Sequence, residues 1–217
     1  KRRHDAAVYP YLLKDFPPTK AHDCWCVDIT YIKMSKGFVY LTALIDVVSR
    51  YVVGWSVSPY LDTQPCLEAL GMALKAGYCP RILNSDQGCQ FTSQAWVKAL
   101  EQADIRISMD GKGRWADNIY IERFWRTLKY EEVYMKSYDS VSQARDCVER
   151  YIHWYNTGRR HQSLGYQTPY QAMMTTNTEG NLSEPDGYGD KPTGLPTYPQ
   201  AIPQQQPFLF TNQAAIM

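Results

Sequence analysis

The chain has 217 residues, of which 44% are hydrophobic, 13% aromatic and 21% charged, and its formal net charge at pH 7 is +1. That suits one globular domain of ordinary size with something left over, and no run approaches the roughly eighteen apolar residues of a membrane span. The six cysteines (24, 26, 66, 79, 89 and 147) form no C-x-x-C pair, which excludes a zinc ribbon and a dense secreted framework and favours buried free thiols in a reducing cytoplasm.

The charge is uneven. From Asn177 onward four acids (Glu179, Glu184, Asp186, Asp190) accompany a single base, Lys191. The rest of the chain is therefore the basic part, which permits an anionic partner without demonstrating one. No signal peptide is visible and the first residue is Lys1, so the chain reads as a fragment, a processed product or a trimmed piece of a longer protein.

Residues 1–20 open with Lys-Arg-Arg-His and contain Pro10, Pro17 and Pro18, which predicts an extended basic arm or linker. The integral domain then runs over 21–176. CWCVDITYIKM predicts a central strand, with Cys24, Cys26, Asp28, Thr30 and Ile32 on one face and Trp25, Val27, Ile29 and Tyr31 on the other. An acid at position 28 costs several kcal/mol if it is buried and unpaired, so Asp28 needs a partner, either a structural salt bridge or a cation. Ser35-Lys36-Gly37 predicts a hairpin into FVYLTALIDVVSR, and Ser49-Arg50 a tight turn into YVVGWSVS, giving a three-strand antiparallel meander. Asp46 is expected to cap or pair at that turn.

From Thr63 the pattern turns helical, with Leu67, Leu70 and Leu74 in period and Gly77 as the stop. A short strand over 81–84 ends at SDQGCQF, a helix capped by Thr92 or Ser93 runs to about Gln102, and a fifth strand covers 105–108. Meander, helix, strand, helix, strand, helix implies a mixed α/β sheet with parallel late strands. If the fourth strand lies beside the first, Asp28 and Asp86 become neighbours at strand carboxyl ends, where α/β sheets build their sites.

Gly111-Lys112-Gly113 predicts a loop leading into a helix over 117–129, with Asp117 as a candidate N-cap. On that helix Ile121, Phe124, Trp125 and Leu128 form an apolar stripe, and Asn118, Glu122, Arg126 and Lys129 a polar one. Taken alone, the polar stripe is an ordinary solvated face. A further helix capped at Asp139-Ser140 follows, with Val141, Ala144, Val148, Tyr151 and Tyr155 toward the core. In YIHWYNTGRRHQSLGYQTP the interleaved basic and aromatic residues can bind nucleic acid or staple a terminal loop. Residues 177–217 are rich in Pro, Gly and Gln and predict a disordered or draped tail.

Asp28, Asp86 and Glu122 come from a strand centre, a strand end and a helix face, with thirty-five residues between the last two. With WCVDITYI, NSDQGCQFTS, SMDGKGRWADNIYIERFWRTLKYEEV and the closing YIHWYNTGRRHQSLGYQTP in order, the chain resembles the insertion-sequence transposases that have a retroviral-integrase-like (DDE) catalytic core. The resemblance covers about Trp25 to Pro169. Cys89 stands where serine is common and Arg160 where proline is common, and the helix-turn-helix region that precedes the core in relatives is not visible.

The resemblance implies a ribonuclease-H-like fold, with a five-stranded mixed sheet of a three-strand antiparallel meander plus two parallel strands, flanked by helices. It implies a DNA transposase that cleaves element ends and joins them to DNA, with Asp28, Asp86 and Glu122 as catalytic and metal-binding residues. Carboxylates about 4 Å apart repel by roughly 4 kcal/mol per pair at an effective dielectric near 20. Divalent cations reverse that penalty, and hard oxygen ligands suit Mg²⁺, with Mn²⁺ as a substitute and two ions as the expected number. Lys129 is implied to contact DNA near the scissile phosphate, with Arg126, Asn118 and Gln90 as further DNA-side candidates. Expected partners are DNA, further copies of the chain, and a separate helix-turn-helix region or protein. The rival readings are a ribonuclease-H-type nuclease and a non-catalytic remnant that binds DNA without chemistry.

Overall fold

The computed structural model describes residues 9–110 and 118–179. The expected glycine loop at 111–113, the N-cap at Asp117, the first part of the basic arm and the tail from 180 onward lie outside the described residues. Strands β1 (Cys24–Lys33), β2 (Phe38–Asp46) and β3 (Val52–Ser58) form the antiparallel meander. Helix α1 (Gln64–Lys75) then leads to β4 (Ile82–Ser85), and α2 (Gln94–Gln102) to β5 (Arg106–Met109). Helices α3 (Ile119–Glu131), α4 (Val141–Thr157) and α5 (Pro169–Glu179) complete the described chain. The strand order is β3-β2-β1-β4-β5, with β4 parallel to both β1 and β5. β4 and β5 each lie one residue later than their patterns suggest.

Period-two alternation in β1 divides the core. Cys24, Cys26 and Ile32 pack with Ile121, Phe124, Trp125 and Leu128 of α3 and with the buried side of α4. On the opposite face Trp25 and Val27 pack with Cys66, Ala69 and Leu70 of α1 and with Trp96 and Leu100 of α2. The apolar stripe expected on α3 is the set of residues that the helix buries. Burying such stripes at about 25 cal/mol per Å² of apolar surface is what holds helices on a sheet. Where β3 meets α1 the approach is backbone to backbone, because a Cβ at Gly54 would overlap the Ala69 carbonyl oxygen.

Local signals behave physically, with some reassignments. At α1 the N-cap residue is Thr63, but its side chain makes no capping bond; the Gln64 N–H donates instead to Asp62 Oδ1 at 3.1 Å. Gly77, at φ +84°, closes that helix, since its N–H donates to Leu74 O and the Tyr78 N–H to Ala73 O. This is the paired closure that a left-handed residue permits. Ser93 and Ser140 cap α2 and α4. Asp46 is fully buried at its turn and accepts from the N–H groups of His22, Val48 and Ser49 and from the Ser49 hydroxyl.

Helix α5 is an element that the sequence pattern does not predict. A signal for it exists: the Gln171 N–H donates to Thr168 Oγ1 at 3.2 Å and the Thr168 N–H to Gln171 Oε1 at 3.0 Å, a reciprocal capping box with Pro169 at the first helical position. Its weak amphipathic pattern hid it. The cysteine expectation also needs correction: all six are free, but Cys79 and Cys89 are exposed while the other four are buried.

The basic and aromatic closing segment acts here as a staple. Arg159 grips Glu131 with Nη2 at 2.7 Å and Nε at 3.0 and 3.1 Å, and Tyr151 Oη donates to the same carboxylate at 2.9 Å. These bonds tie the end of α3 to α4 and to the chain beyond it. His161 stacks edge-on against Tyr155 with ring centroids 5.0 Å apart. Burial, reinforced by the Arg159 and Arg50 charges, pushes its pKa down to about 4. Among the described residues no helix is long and apolar enough to cross a membrane.

Gly54→Ala should lower stability by about 3 kcal/mol in urea unfolding, because the added methyl forces α1 off β3. The staple carries a pH signature. A neutral folded His161 with its pKa at about 4, against an ordinary 6.5, refuses a proton that the unfolded chain accepts. Its contribution is therefore present above pH 6.5 and lost as the pH falls toward about 4. The unfolding free energy of wild type minus that of His161→Gln should fall steadily across that window, and a pH-independent difference would show that the ring titrates normally.

Candidate active site

The first two acids meet where the sheet forks. β4 pairs with β1 only at Cys24, Trp25 and Cys26, while β2 follows the other edge of β1 as far as Lys33. Beyond Cys26, β1 runs on with its β4-side edge open. Asp28 is the second residue into that open stretch, and Asp86 is the first residue after β4. The parallel register therefore sends both carboxylates toward the same end of the sheet.

The third acid reaches this place through a neighbour on its helix. Trp125 Nε1 donates to Asp28 Oδ2 at 2.9 Å, pinning α3 across the face of β1 that carries Asp28. Glu122 precedes Trp125 by three residues, so the two are adjacent along the helix surface, and Glu122 is exposed where Trp125 is buried.

The electrostatics of Asp28 register all three groups. Burial pushes its pKa up; the Trp125 N–H and the Ile29 amide pull it down; the negative charges of Asp86 and Glu122 raise it again. None of the ion pairs among the described residues relieves this charge, since they join Arg81 to Asp23, Lys136 to Glu132 and Arg159 to Glu131. The salt bridge that could have explained an acid in β1 is thus not the partner of Asp28, which has the indole N–H. Among the described residues, no three His, Cys, Asp or Glu side chains converge closely enough to hold a metal ion as they stand. The donor chemistry nevertheless fits a hard divalent cation: all oxygen, with excess negative charge.

The Asp86 loop is held by its own backbone. Asp86 Oδ1 accepts the Gly88 N–H at 2.8 Å, and a Cβ at Gly88 would stand 2.8 Å from that oxygen and 3.4 Å from Gln90 Oε1. Gln90 therefore borders the Asp86 loop, with its Nε2 directed to Leu61 O at 3.5 Å. Beneath lies a network that the sequence reading missed. Asn84 Nδ2 donates to Asp110 Oδ1 at 2.7 Å, Ser108 Oγ to Asn84 Oδ1 at 2.8 Å, and Gln87 Nε2 to Asp110 O at 2.9 Å. It locks the ends of β4 and β5 together directly under Asp86. The available signal was two buried polar residues, Asn84 and Ser108, at facing positions of short apolar strands.

The remaining candidates separate. Arg126 is exposed, and Lys129 is half-buried with Nζ 4.8 Å from the centroid of the Tyr31 ring. Asn118 does not stand on an open stripe with them: it is buried just before α3, and its Oδ1 has no hydrogen-bond partner among the described residues.

Two models, each described as an integrase core domain, match residues 18–114 and 103–169. The transposase InsF for insertion sequence IS3A of Escherichia coli K12 is 37% identical over 174 residues, which is 78% of this chain and 60% of that protein. The transposase for insertion sequence element IS904 of Lactococcus lactis is 34% identical over 158 residues, 71% of this chain and 62% of that protein. This chain thus spans about 60% of the length of the curated relatives it matches. Among solved structures, the HTLV-2 integrase catalytic core domain in complex with magnesium superposes with a TM-score of 0.57 at 17% identity, covering 71% of this chain and 97% of that one. The BIV integrase catalytic core domain gives 0.58 at 19% identity, covering 74% and 99%. The fold is accordingly the ribonuclease-H-like one, with its five-stranded mixed sheet.

In metal-free protein, Asp28 should titrate above the ordinary Asp value of 3.8 when followed by carboxyl-carbon NMR. Asp86→Asn and Glu122→Gln should each move it down, and Trp125→Phe should move it up. If neither charge removal shifts it, the three acids do not share a field in solution.

Proposed function

We propose, since this chain belongs to the integrase core domain family, that it is the catalytic part of an insertion-sequence DNA transposase, cutting DNA at element ends and joining those ends to new DNA. The observation that carries the proposal is the half-buried Asp28 carboxylate, which lies in the combined field of Asp86 and Glu122 with no ion-paired base among the described residues. Three acids so placed favour a bound cation over an unrelieved charge.

Asp28, Asp86 and Glu122 would hold Mg²⁺, with Mn²⁺ able to substitute and two ions as the number that suits in-line displacement. Bound there, such ions supply activation of a water or a DNA 3′-hydroxyl and stabilisation of the leaving oxygen. The protein's own share is positional. Trp125 orients Asp28, the Gly88 amide orients Asp86, and α3 presents Glu122 from the facing layer. Lys129 and Arg126 follow Glu122 along α3 and are proposed to take DNA phosphates, which gives binding that weakens with salt and depends little on sequence. Asn118 and Gln90 are proposed to shape the DNA side of the site, Asn118 through an amide oxygen that has no hydrogen-bond partner among the described residues.

Residues 21–176 form the proposed catalytic unit, between a basic arm at 1–20 and a tail at 177–217. Recognition of particular end sequences is assigned to a helix-turn-helix region or protein, and pairing of two ends to association between copies of the chain. The six free thiols suit a reducing cytoplasm as its place of action.

With a substrate carrying element ends and Mg²⁺, Glu122→Gln should reduce cleavage and strand transfer at least ~100-fold, in the range that loss of a transition-state charge stabiliser produces. Undiminished strand transfer by that variant would sink the mechanism. Cutting of RNA–DNA hybrids without strand transfer would select a ribonuclease-H-type nuclease, and DNA binding by a verified full-length chain with no metal-dependent cutting would select a non-catalytic remnant.

A further inference from the structure

The hairpin beside the fork has an unusual surface. From Ile29 to Ile45 it contains no acid, and Lys33 and Lys36 stand exposed at its end. Beside these lysines stand two aromatic rings in the open: Tyr31 is 58% exposed and Phe38 53%. They are not scattered. Lys33 pairs directly with Phe38 across the ladder, so Tyr31, two residues before Lys33, lies on the same face and diagonal to Phe38. Their ring centroids are 5.5 Å apart and nearly perpendicular, and Lys129 of α3 places its Nζ 4.8 Å from the Tyr31 centroid.

This group adjoins the site. Tyr31 follows Asp28 by three residues of extended chain, about 10 Å along β1 and on the opposite face of the strand, so the link to the site runs through Lys129, which lies about two turns beyond Glu122 on α3 and meets the Tyr31 ring. The open edge of β1 past Cys26 leaves the approach from Asp28 to Tyr31 uncovered by β4.

Two adjoining exposed rings among three lysines suit one kind of occupant. The buried centre of a protein interface is depleted in lysine, whereas single-stranded nucleic acid is bound by aromatic faces for its bases and by lysines for its phosphates. Bases in a duplex are already stacked on one another, so free rings select bases that are unpaired.

We infer that Tyr31 and Phe38, with Lys129, Lys33 and Lys36 around them, form a stacking platform for unpaired DNA bases next to the bond being cut or joined. This rests on the transposase reading above and adds to it a means of keeping a frayed end in place once its bases leave the duplex. Tyr31 and Phe38 are positioning residues here. Stacking tolerates any base, so the platform holds an end without reading its sequence.

The test compares binding of the 217-residue chain to a blunt DNA duplex and to the same duplex with a short single-stranded extension, by fluorescence anisotropy without divalent metal. Wild type should prefer the extended DNA. Tyr31→Ala with Phe38→Ala should weaken that complex about tenfold while blunt-duplex binding falls far less, and Tyr31→Trp should keep the preference. An independent measurement needs no variant: 5-iododeoxyuridine in the extension should photo-cross-link wild type at Tyr31 or Phe38, located by mass spectrometry. Cross-links only elsewhere, or equal losses on both DNAs, overturn the platform. A variant that alters self-association in sedimentation while binding both DNAs normally also overturns it, making the patch a contact between copies. Glu122-dependent cleavage with no preference for the extension defeats the platform alone, whereas failure of wild type to bind or cut any DNA defeats the transposase reading together with it.

Discussion

The hydrogen bond from Trp125 Nε1 to Asp28 Oδ2, at 2.9 Å, is the contact on which the site depends. It joins two layers of the molecule, the central strand β1 and the helix α3. It also does two opposing things to one carboxylate. By donating to the charged form it favours ionisation, while the apolar packing of the same indole among Ile121, Phe124 and Leu128 helps to bury the group and resists ionisation. The net upward displacement, with Asp86 and Glu122 adding to it, leaves Asp28 held in place but electrostatically unsatisfied. A structural salt bridge would have neutralised the charge; an indole N–H orients it and leaves it there.

Around that bond the fold is arranged as a fork. β4 stops pairing with β1 after Cys26, and the chain leaves the sheet at Asp86 just as β1 presents Asp28. The polar network of Asn84, Ser108 and Asp110 makes the fork stiff. Buried polar groups that satisfy one another resist rearrangement, because breaking any one bond strands its partner in a low-dielectric interior. The same network carries the backbone of Asp110, the last described residue before Asn118 and α3, so the roots of the Asp86 loop and of the segment leading to Glu122 are tied together by Gln87.

Cations in this protein divide between structure and surface. Arg159 is committed to Glu131 by a bidentate grip, and Arg50 lies over the Tyr120 ring at 3.8 Å. Such partly desolvated, geometrically matched pairs hold α3, α4 and the chain beyond them in one orientation. Arg126 and Arg160 are exposed, and Lys129 rests on an exposed ring, where a phosphate can replace water at little cost. The division follows burial, since a guanidinium out of water needs a fixed partner.

The amino-acid sequence by itself determined what depends on local period and spacing. This includes the two faces of β1, the apolar stripe of α3, the caps of α2 and α4 to within a residue, the meander, and the three acids whose intervals carry the family resemblance. These are legible because a strand repeats every two residues and a helix every 3.6, so neighbouring residues report which side they occupy. Tertiary structure alone decided that Asp28 is met by Trp125, ninety-seven residues away, and that Arg159 is used while Arg160 is left exposed. It also decided that Asn118 is buried and that Asp110 locks the fork. The reason is physical: a polar side chain's state is set by its partner and its dielectric surroundings, and both are supplied by contacts across the chain that no local pattern encodes.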